Sequence, residues 1–370
     1  MTSPTQQRKT PVSPQYTDRR TFLSQALRRS AGVAVLATSG AGAWEGLLGS
    51  GRAAAASLHP AARSLGAASL QLDWIDDIEF AGSYIARSSG YYQRAGLSVT
   101  LLPGGPNTSV EPIVVSGKAL VGISGPDLTS AAINNGADLK IIGAQMQKAP
   151  QAIMSLAKRP INGPKDMIGK KIGVQAGNLL SFRAFLELQG IPEAKVDIVP
   201  VQFDPSPLAA GTVDGWYAFI TNEPFLLAAK GVATKSWLLY DYGYRLYSGT
   251  YLASASSLDN PSERAKVVAL MKGEIQGWQK AFLDPTLAAH LTVDVYGKSD
   301  GLDVRTQQEE LGAYQKLFQT GTTARHGLFW MSPADVAANI RTLSLVGIKS
   351  KPSYFTNEIL QEIYKGSNQA

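Results

Sequence analysis

The chain has 370 residues, 44% of them hydrophobic and 17% charged, and no cysteine. That balance fits a core-forming globular protein with room for two domains, and it excludes disulfides, cysteine-based zinc sites, a catalytic thiol and a lipidated N-terminal cysteine. The formal charge of +6 is concentrated at the N-terminus. Residues 1–56 hold seven Lys or Arg against two acids, while the remainder holds 28 bases against 27 acids, so the body gives no electrostatic reason to expect nucleic acid.

In chain order, a polar extension comes first. It is followed by Asp18-Arg19-Arg20-Thr21-Phe22-Leu23, an apolar stretch over 31–48 that contains Glu45, and small residues at Ala53–Ala56. A charged start, an apolar middle and a small-residue end make a three-part export signal. The paired arginines resemble the twin-arginine type, although Asp18 stands where Ser or Thr is usual. This resemblance implies transport of the folded chain by the twin-arginine machinery, cleavage near Ala53–Ala56 and a periplasmic or extracytoplasmic location, without a lipid anchor. Residues 57–68 read as a linker. No later segment has the 18 or more apolar residues of a membrane span.

From Ser69 the chain alternates strand-like and helical runs. LQLDW (70–74), LSVTLLP (97–103), ALVGIS (119–124) and LKIIGAQ (139–145) read as strands, separated by helices over 80–96, 108–117 and from Asp127. The rhythm restarts with KKIGVQ (170–175), a helix over 179–190, KVDIVPVQF (195–203) and GWYAFI (215–220). Helical patterns over 261–284, 303–319, 333–346 and 356–365 follow. The expected class is α/β, with two lobes, each a mainly parallel sheet flanked by helices.

The segments 72–105, 116–127, 169–178 and 213–231 resemble, in order, the NMT1/THI5-like substrate-binding proteins of ABC importers, a group that includes binders of thiamine pyrimidine precursors and of riboflavin-type ligands. The resemblance implies the periplasmic-binding-protein fold, with a ligand cleft between lobes joined by two crossover strands. It places lobe 1 at 69–155 plus 250–370 and lobe 2 at 156–249. It also implies a monomer that delivers its ligand to an inner-membrane ABC permease and its ATPase.

In open α/β sheets, ligands bind beyond the carboxyl ends of the strands. The candidate contacts are therefore Trp74, Asp77, Glu79 and Phe80 after the first strand, Asn107 and Thr108 in a Gly-Gly-Pro turn, Ser124 and Asp127, Gln145, Asn178, and Tyr217 with Thr221, Asn222 and Glu223. Trp and Phe offer ring faces, and the carboxylates and amides offer acceptors for an amine or ring N–H. Asp77 and Asp127 also fit helix caps. In FITNEPF (219–225), Pro224 fits a first helical turn and Glu223 sits at a dipole-positive helix start, which favours its ionised form.

These residues point to a small planar heteroaromatic ligand, such as a thiamine pyrimidine precursor or a riboflavin-like compound. The alternatives are a sulfonate or nitrate binder of the same fold and a pyrimidine synthase. Synthase relatives use iron, a cysteine-rich motif and a histidine, whereas this chain has no cysteine and has Phe80 at the histidine position. His59, His290 and His326 lack metal-ligand spacing, and no GxSxG, P-loop or GxGxxG occurs. The expectation is a binding protein without enzymatic activity, cofactor or metal.

Overall fold

The computed structural model describes residues 64–105 and 107–368, which lie in the second of the two compact units of the chain, 58–370. Arg19, Arg20 and the expected cleavage region lie outside the described residues.

Two five-stranded sheets share one topology. In the first, β1 (Gly66–Gln71), β2 (Leu97–Leu102), β3 (Val121–Ser124) and β4 (Leu139–Met146) run in one direction. β10 (Ser248–Ser254) runs against them, and the order is β2-β1-β3-β10-β4. In the second, β6 (Lys171–Gln175), β7 (Asp197–Val201), β8 (Gly215–Phe219) and β9 (Thr234–Leu238) run together, with β5 (Gln151–Leu156) reversed, in the order β7-β6-β8-β5-β9. Four strands of each sheet are thus parallel, as the β-α-β-α rhythm implies. The reversed strand of each sheet is the one that arrives from the other lobe.

The chain leaves the first sheet at 147–150 and returns at 239–247, between β9 and β10. The first crossing falls earlier than the expected boundary at 156, because β5 belongs to the second sheet. Its apolar run QAIMSL would suit a buried strand in either sheet, so no local signal marks the change of lobe. The helix expected over 80–96 is interrupted at Gly90, whose φ of 73° is left-handed; α1 is Ala81–Ser88.

The helices that matter for the site are α2 (Pro126–Asn134), α3 (Leu179–Leu188), α4 (Glu223–Ala229), α5 (Pro261–Leu283), α6 (Val304–Phe318) and α7 (Pro333–Leu345). α5 crosses α1 in backbone contact: a Cβ on Gly277 would sit 2.0 Å from the Gly82 carbonyl oxygen. The C-terminal region does not stay wholly with lobe 1. On α7, Val336 packs with Ile141, Ala144 and Tyr247, while Leu343 enters the core of the second lobe.

One carboxylate lies wholly inside lobe 1. Glu274 on α5 has no exposed surface. It accepts hydrogen bonds from Ser83 Oγ at 2.9 Å, from Tyr251 Oη at 2.6 Å and from the Tyr92 hydroxyl. Burial raises its pKa, and the three donors act in the opposite direction. The network ties α1, the segment after it, β10 and α5 into one rigid body. No helix among the described residues is long and apolar enough to cross a membrane.

Candidate functional site

The carboxyl ends of the parallel strands of both sheets meet at the seam between the lobes. From lobe 1, β1 leads into Leu72–Asp77 and a 3₁₀ turn, Ile78–Phe80. Asp77 caps that turn, its Oδ1 accepting from Glu79 N at 2.8 Å. Gly104, after β2, packs on the same segment: a Cβ there would lie 2.4–2.5 Å from backbone atoms of Leu72, Asp73 and Trp74. Only glycine lets the two loops approach this closely. Trp74 is 37% exposed at the lip.

From lobe 2, β8 ends at Phe219 and the chain turns through Ile220–Asn222 into α4. Asn222 occupies the N-cap position without a side-chain capping bond, and Pro224 stands in the first turn. Glu223 is only 2% exposed. Its Oε2 accepts from Phe219 N at 2.8 Å. Burial pushes its pKa up to about 7, against the backbone N–H groups of Phe219 and of Glu223 itself. Desolvation therefore outweighs the helix-start effect that the sequence led us to expect.

α6 joins the two lips. Gln307 Oε1 accepts from Ile78 N at 2.9 Å, and its Nε2 donates to Glu310 Oε2 at 2.7 Å. One turn further, the Tyr314 hydroxyl approaches Glu79 of lobe 1 and Thr221 of lobe 2. Glu310 lies within the fields of Asp77 and Glu223, and burial plus these like charges raises its pKa to about 8. Asp73 and Asp77 are raised to about 7, mainly by burial. Glu79 is raised well above the usual range, first by burial and then by Asp73 and Asp77. Among the described residues, none of these acids forms an ion pair.

The other expected contacts divide. Asp127 does not cap α2, whose N-cap is Gly125 with Pro126 at the first turn. It is raised chiefly by burial, and it acts across the seam on Tyr217 and Tyr244 of lobe 2. Tyr217 is fully buried, 6.1 Å edge-on from Phe182, with its hydroxyl 3.4 Å from Ser181 Oγ. Ser124 is buried and donates to Glu111 Oε1 at 2.7 Å. Asn178 is half-buried and donates to Gln175 Oε1. Asn107 is exposed, and Thr108 closes a turn on Gly105; nothing brings that pair to the acids. Phe80 has no exposed surface and belongs to the lobe 1 core, edge-on to Tyr84, so it supports the wall and offers no ring face. Gln145 is buried in β4 and donates to Tyr251 Oη.

Sequence reasoning missed Asp73, Glu111, Gln307, Glu310 and Tyr314. The last three lie at i, i+3 and i+7 on one stripe of α6 beside Leu311. A polar stripe within an apolar helical pattern is the signal that would have found them.

Buried polar atoms without partners include Asp73 Oδ1 after β1 and Gln147 Oε1 and Gln151 Oε1 where the chain crosses between the sheets, while Gln145 Oε1 lies beside Tyr251 of the Glu274 network and Tyr247 Oη on a ring packed with Ile141, Ala144 and Val336. Gln151 pairs in register with Phe219, and Ser248, next to Tyr247, pairs with Met146. Orphan groups of this kind are costly unless something completes them. Two shallow open depressions elsewhere lie at the opposite ends of the strands, one beside residues 193–198 and one between Ala67–Ser69, Lys118 and Lys266. Among the described residues, no group of acids and histidines is arranged to hold a metal ion.

Two like-wound lobes, each with one reversed strand, and polar groups where they meet are the arrangement of the periplasmic-binding-protein fold. The NMT1/THI5 like family model matches residues 77–288, more than half of the chain; the chain belongs to that family. It is 25% identical over 309 residues to the riboflavin-binding protein RibY of Chloroflexus aurantiacus, covering 79% of this chain and 85% of RibY. Over 90 residues it is 30% identical to 4-amino-5-hydroxymethyl-2-methylpyrimidine phosphate synthase of Schizosaccharomyces pombe, a match covering 24% of this chain and 26% of that enzyme. The sulfonate-binding protein SsuA of Methylobacillus flagellatus superposes with a TM-score of 0.59 at 15% identity, covering 82% of this chain and 95% of SsuA. That likeness establishes the shared fold.

Proposed function

We propose that the protein is the extracytoplasmic receptor of an ABC importer. It captures a small planar nitrogen heteroaromatic compound between its lobes and presents it, closed, to a membrane permease. The observation that carries this reading is the set of carboxyl groups contributed by both lobes and by α6, with no basic side chain paired to them. Such a lining accepts hydrogen bonds from ring N–H and amino groups and repels a sulfonate or nitrate. Trp74 supplies an exposed ring face at the lip, Asp77, Glu79, Asp127 and Glu223 supply acceptors, and Thr221, Asn222 and Asn178 edge the second lobe. The extended match to a riboflavin-binding protein supports a heteroaromatic ligand. The short match to a pyrimidine phosphate synthase does not make this chain a synthase: neither a cysteine nor a group of residues arranged to hold a metal accompanies the acids among the described residues.

Closure follows from differential affinity, because a ligand touching both lobes stabilises the closed state by the contacts that the open state lacks. Export through the twin-arginine route, guided by Arg19 and Arg20, would place the folded receptor outside the cytoplasm.

The test is mass spectrometry of ligand carried through native purification, followed by calorimetry with riboflavin, 4-amino-5-hydroxymethyl-2-methylpyrimidine and an alkanesulfonate. A heteroaromatic compound should bind, and Glu223→Ala should weaken it at least tenfold. Capture of the sulfonate alone would refute the reading.

A further inference from the structure

Two independent features of the seam constrain the ligand further than its flatness, given the receptor reading above. The first is the deep lining. Asp73, Asp77 and Glu79 of lobe 1 act on one another, Glu310 on α6 lies within reach of Asp77 and of Glu223 from lobe 2, and Asp76, Asp300 and Glu111 add negative charge. Tyr314 stands among them, and no Lys, Arg or His contributes to the field at any of these acids. The orphan atoms with them are mostly acceptors. Gln147, 4% exposed, leaves Oε1 unpaired, and Asp73 leaves Oδ1. The backbone N–H of Gln147 binds Leu317 O on α6, within one turn of Tyr314.

The second feature is the rim. Large apolar side chains are exposed after the same strand ends, Trp74 and Ile75 after β1, Leu128 after β3, Leu180 after β6 and Phe203 after β7, and on α4 Leu226 is exposed as well; others, such as Val115 and Leu283, are exposed elsewhere. Along the chain, several stand next to a lining acid: Asp73 precedes Trp74, Asp127 precedes Leu128, and Glu223 is three residues before Leu226. The seam is therefore rich in carboxyl groups inside and has exposed apolar side chains at its edge, on both lobes.

We propose that the ligand is a cationic heteroaromatic base, seated with its positive nitrogen toward Asp77, Glu79, Glu310 and Glu223 and its apolar edge toward Trp74, Leu128 and Phe203. A neutral ring could fill the acceptors with N–H donors, but it would leave several carboxyl groups from two lobes facing one another as the lobes close. A cation between Glu310 and Glu223 cancels that repulsion where the lobes meet. Charge thus supplies part of the difference between open and closed states, so binding and closure report the same contact.

Calorimetry on the unmodified protein tests this with two planar fixed cations, thiamine and N1-methylnicotinamide, beside neutral riboflavin and anionic ethanesulfonate, at pH 6, 7 and 8. At least one cation should bind, more tightly than riboflavin by tenfold or more. Because a fixed cation favours ionised carboxyl groups, its affinity should rise about tenfold from pH 6 to 8 for one acid titrating near neutrality, with protons released on binding. Glu310→Gln should flatten that rise while keeping the fold, as checked by circular dichroism. Riboflavin binding as tightly as the cations and independently of pH would overturn the inference and leave the heteroaromatic receptor standing. Ethanesulfonate binding alone would overturn both. Failure of both cations to bind, or a cation affinity that does not rise with pH, also overturns the inference.

Discussion

Glu274 and Glu223 are both nearly inaccessible glutamates whose pKa is raised by burial, yet their surroundings differ in kind. Glu274 is surrounded by hydroxyl donors of its own lobe, Ser83, Tyr92 and Tyr251. Glu223 has backbone N–H groups on one side, while Glu310 stands between its field and that of Asp77 of the other lobe. The first is a satisfied network, which rigidifies what it joins. The second is a set of carboxyl groups with few donors and no paired cation, at the surface where the two lobes meet. A buried acid with its donors present within one lobe reads as architecture, and one facing acids of the other lobe reads as a place for an incoming group.

The sharpest way to break this comparison is Glu274→Ala. It would orphan three buried hydroxyl groups, each costing ~1–3 kcal/mol, so denaturant unfolding should show a loss of at least ~3 kcal/mol. Ligand affinity, measured on the fraction that stays folded, should hold within a few-fold.

Substitution on the other side of the comparison should act in the opposite direction. A carboxyl whose folded pKa lies above its unfolded value costs stability once it ionises. The native state then binds more protons than the unfolded chain between the two values, so stability falls as pH rises through that window. For Glu223 the window runs from 4.5 to about 7, and for Glu310 from 4.5 to about 8. Ligand-free protein should therefore lose stability steadily between about pH 4.5 and 8 in melts at fixed ionic strength. Glu223→Gln and Glu310→Gln should each remove part of that slope and stabilise the protein at pH 8 by roughly 1–3 kcal/mol, while weakening the ligand. A variant that instead destabilises at pH 8 would place its acid with Glu274, in the structural class.

The difference between the two glutamates was only half legible in the sequence. The repeated strand-helix spacing carried the two lobes, since period and punctuation are local. FITNEPF carried Glu223, because a carboxylate beside a proline at the end of an apolar strand is a local anomaly. Glu310 and Tyr314 were not found this way: they reach the seam from a helix some ninety residues later in the chain, and only the packing of α6 across both lips brings them there. Phe80 failed for the converse reason. Its neighbours Asp77 and Glu79 face the seam, but the 3₁₀ turn directs Phe80 into the core. β5 likewise carried no mark of its sheet, because a buried strand has the same composition in either lobe.

The smallest effect concerns the rim. Trp74 is more than a third exposed, has no ring partner among the described aromatic pairs, and follows Asp73 at the lip. Its indole holds little of the lobe together, so Trp74→Ala should move the unfolding midpoint by the equivalent of only about 0.5 kcal/mol. If the ring lies on the ligand, the same change removes an aromatic contact of about 0.5–1.5 kcal/mol, a two- to tenfold loss of affinity. Trp74→Phe should recover most of it, since a flat apolar face is retained. Calorimetry and denaturant unfolding on these two variants separate the roles: a loss of stability without a loss of affinity would return Trp74 to the scaffold, and the reverse would fix the ligand's ring at the lobe 1 lip.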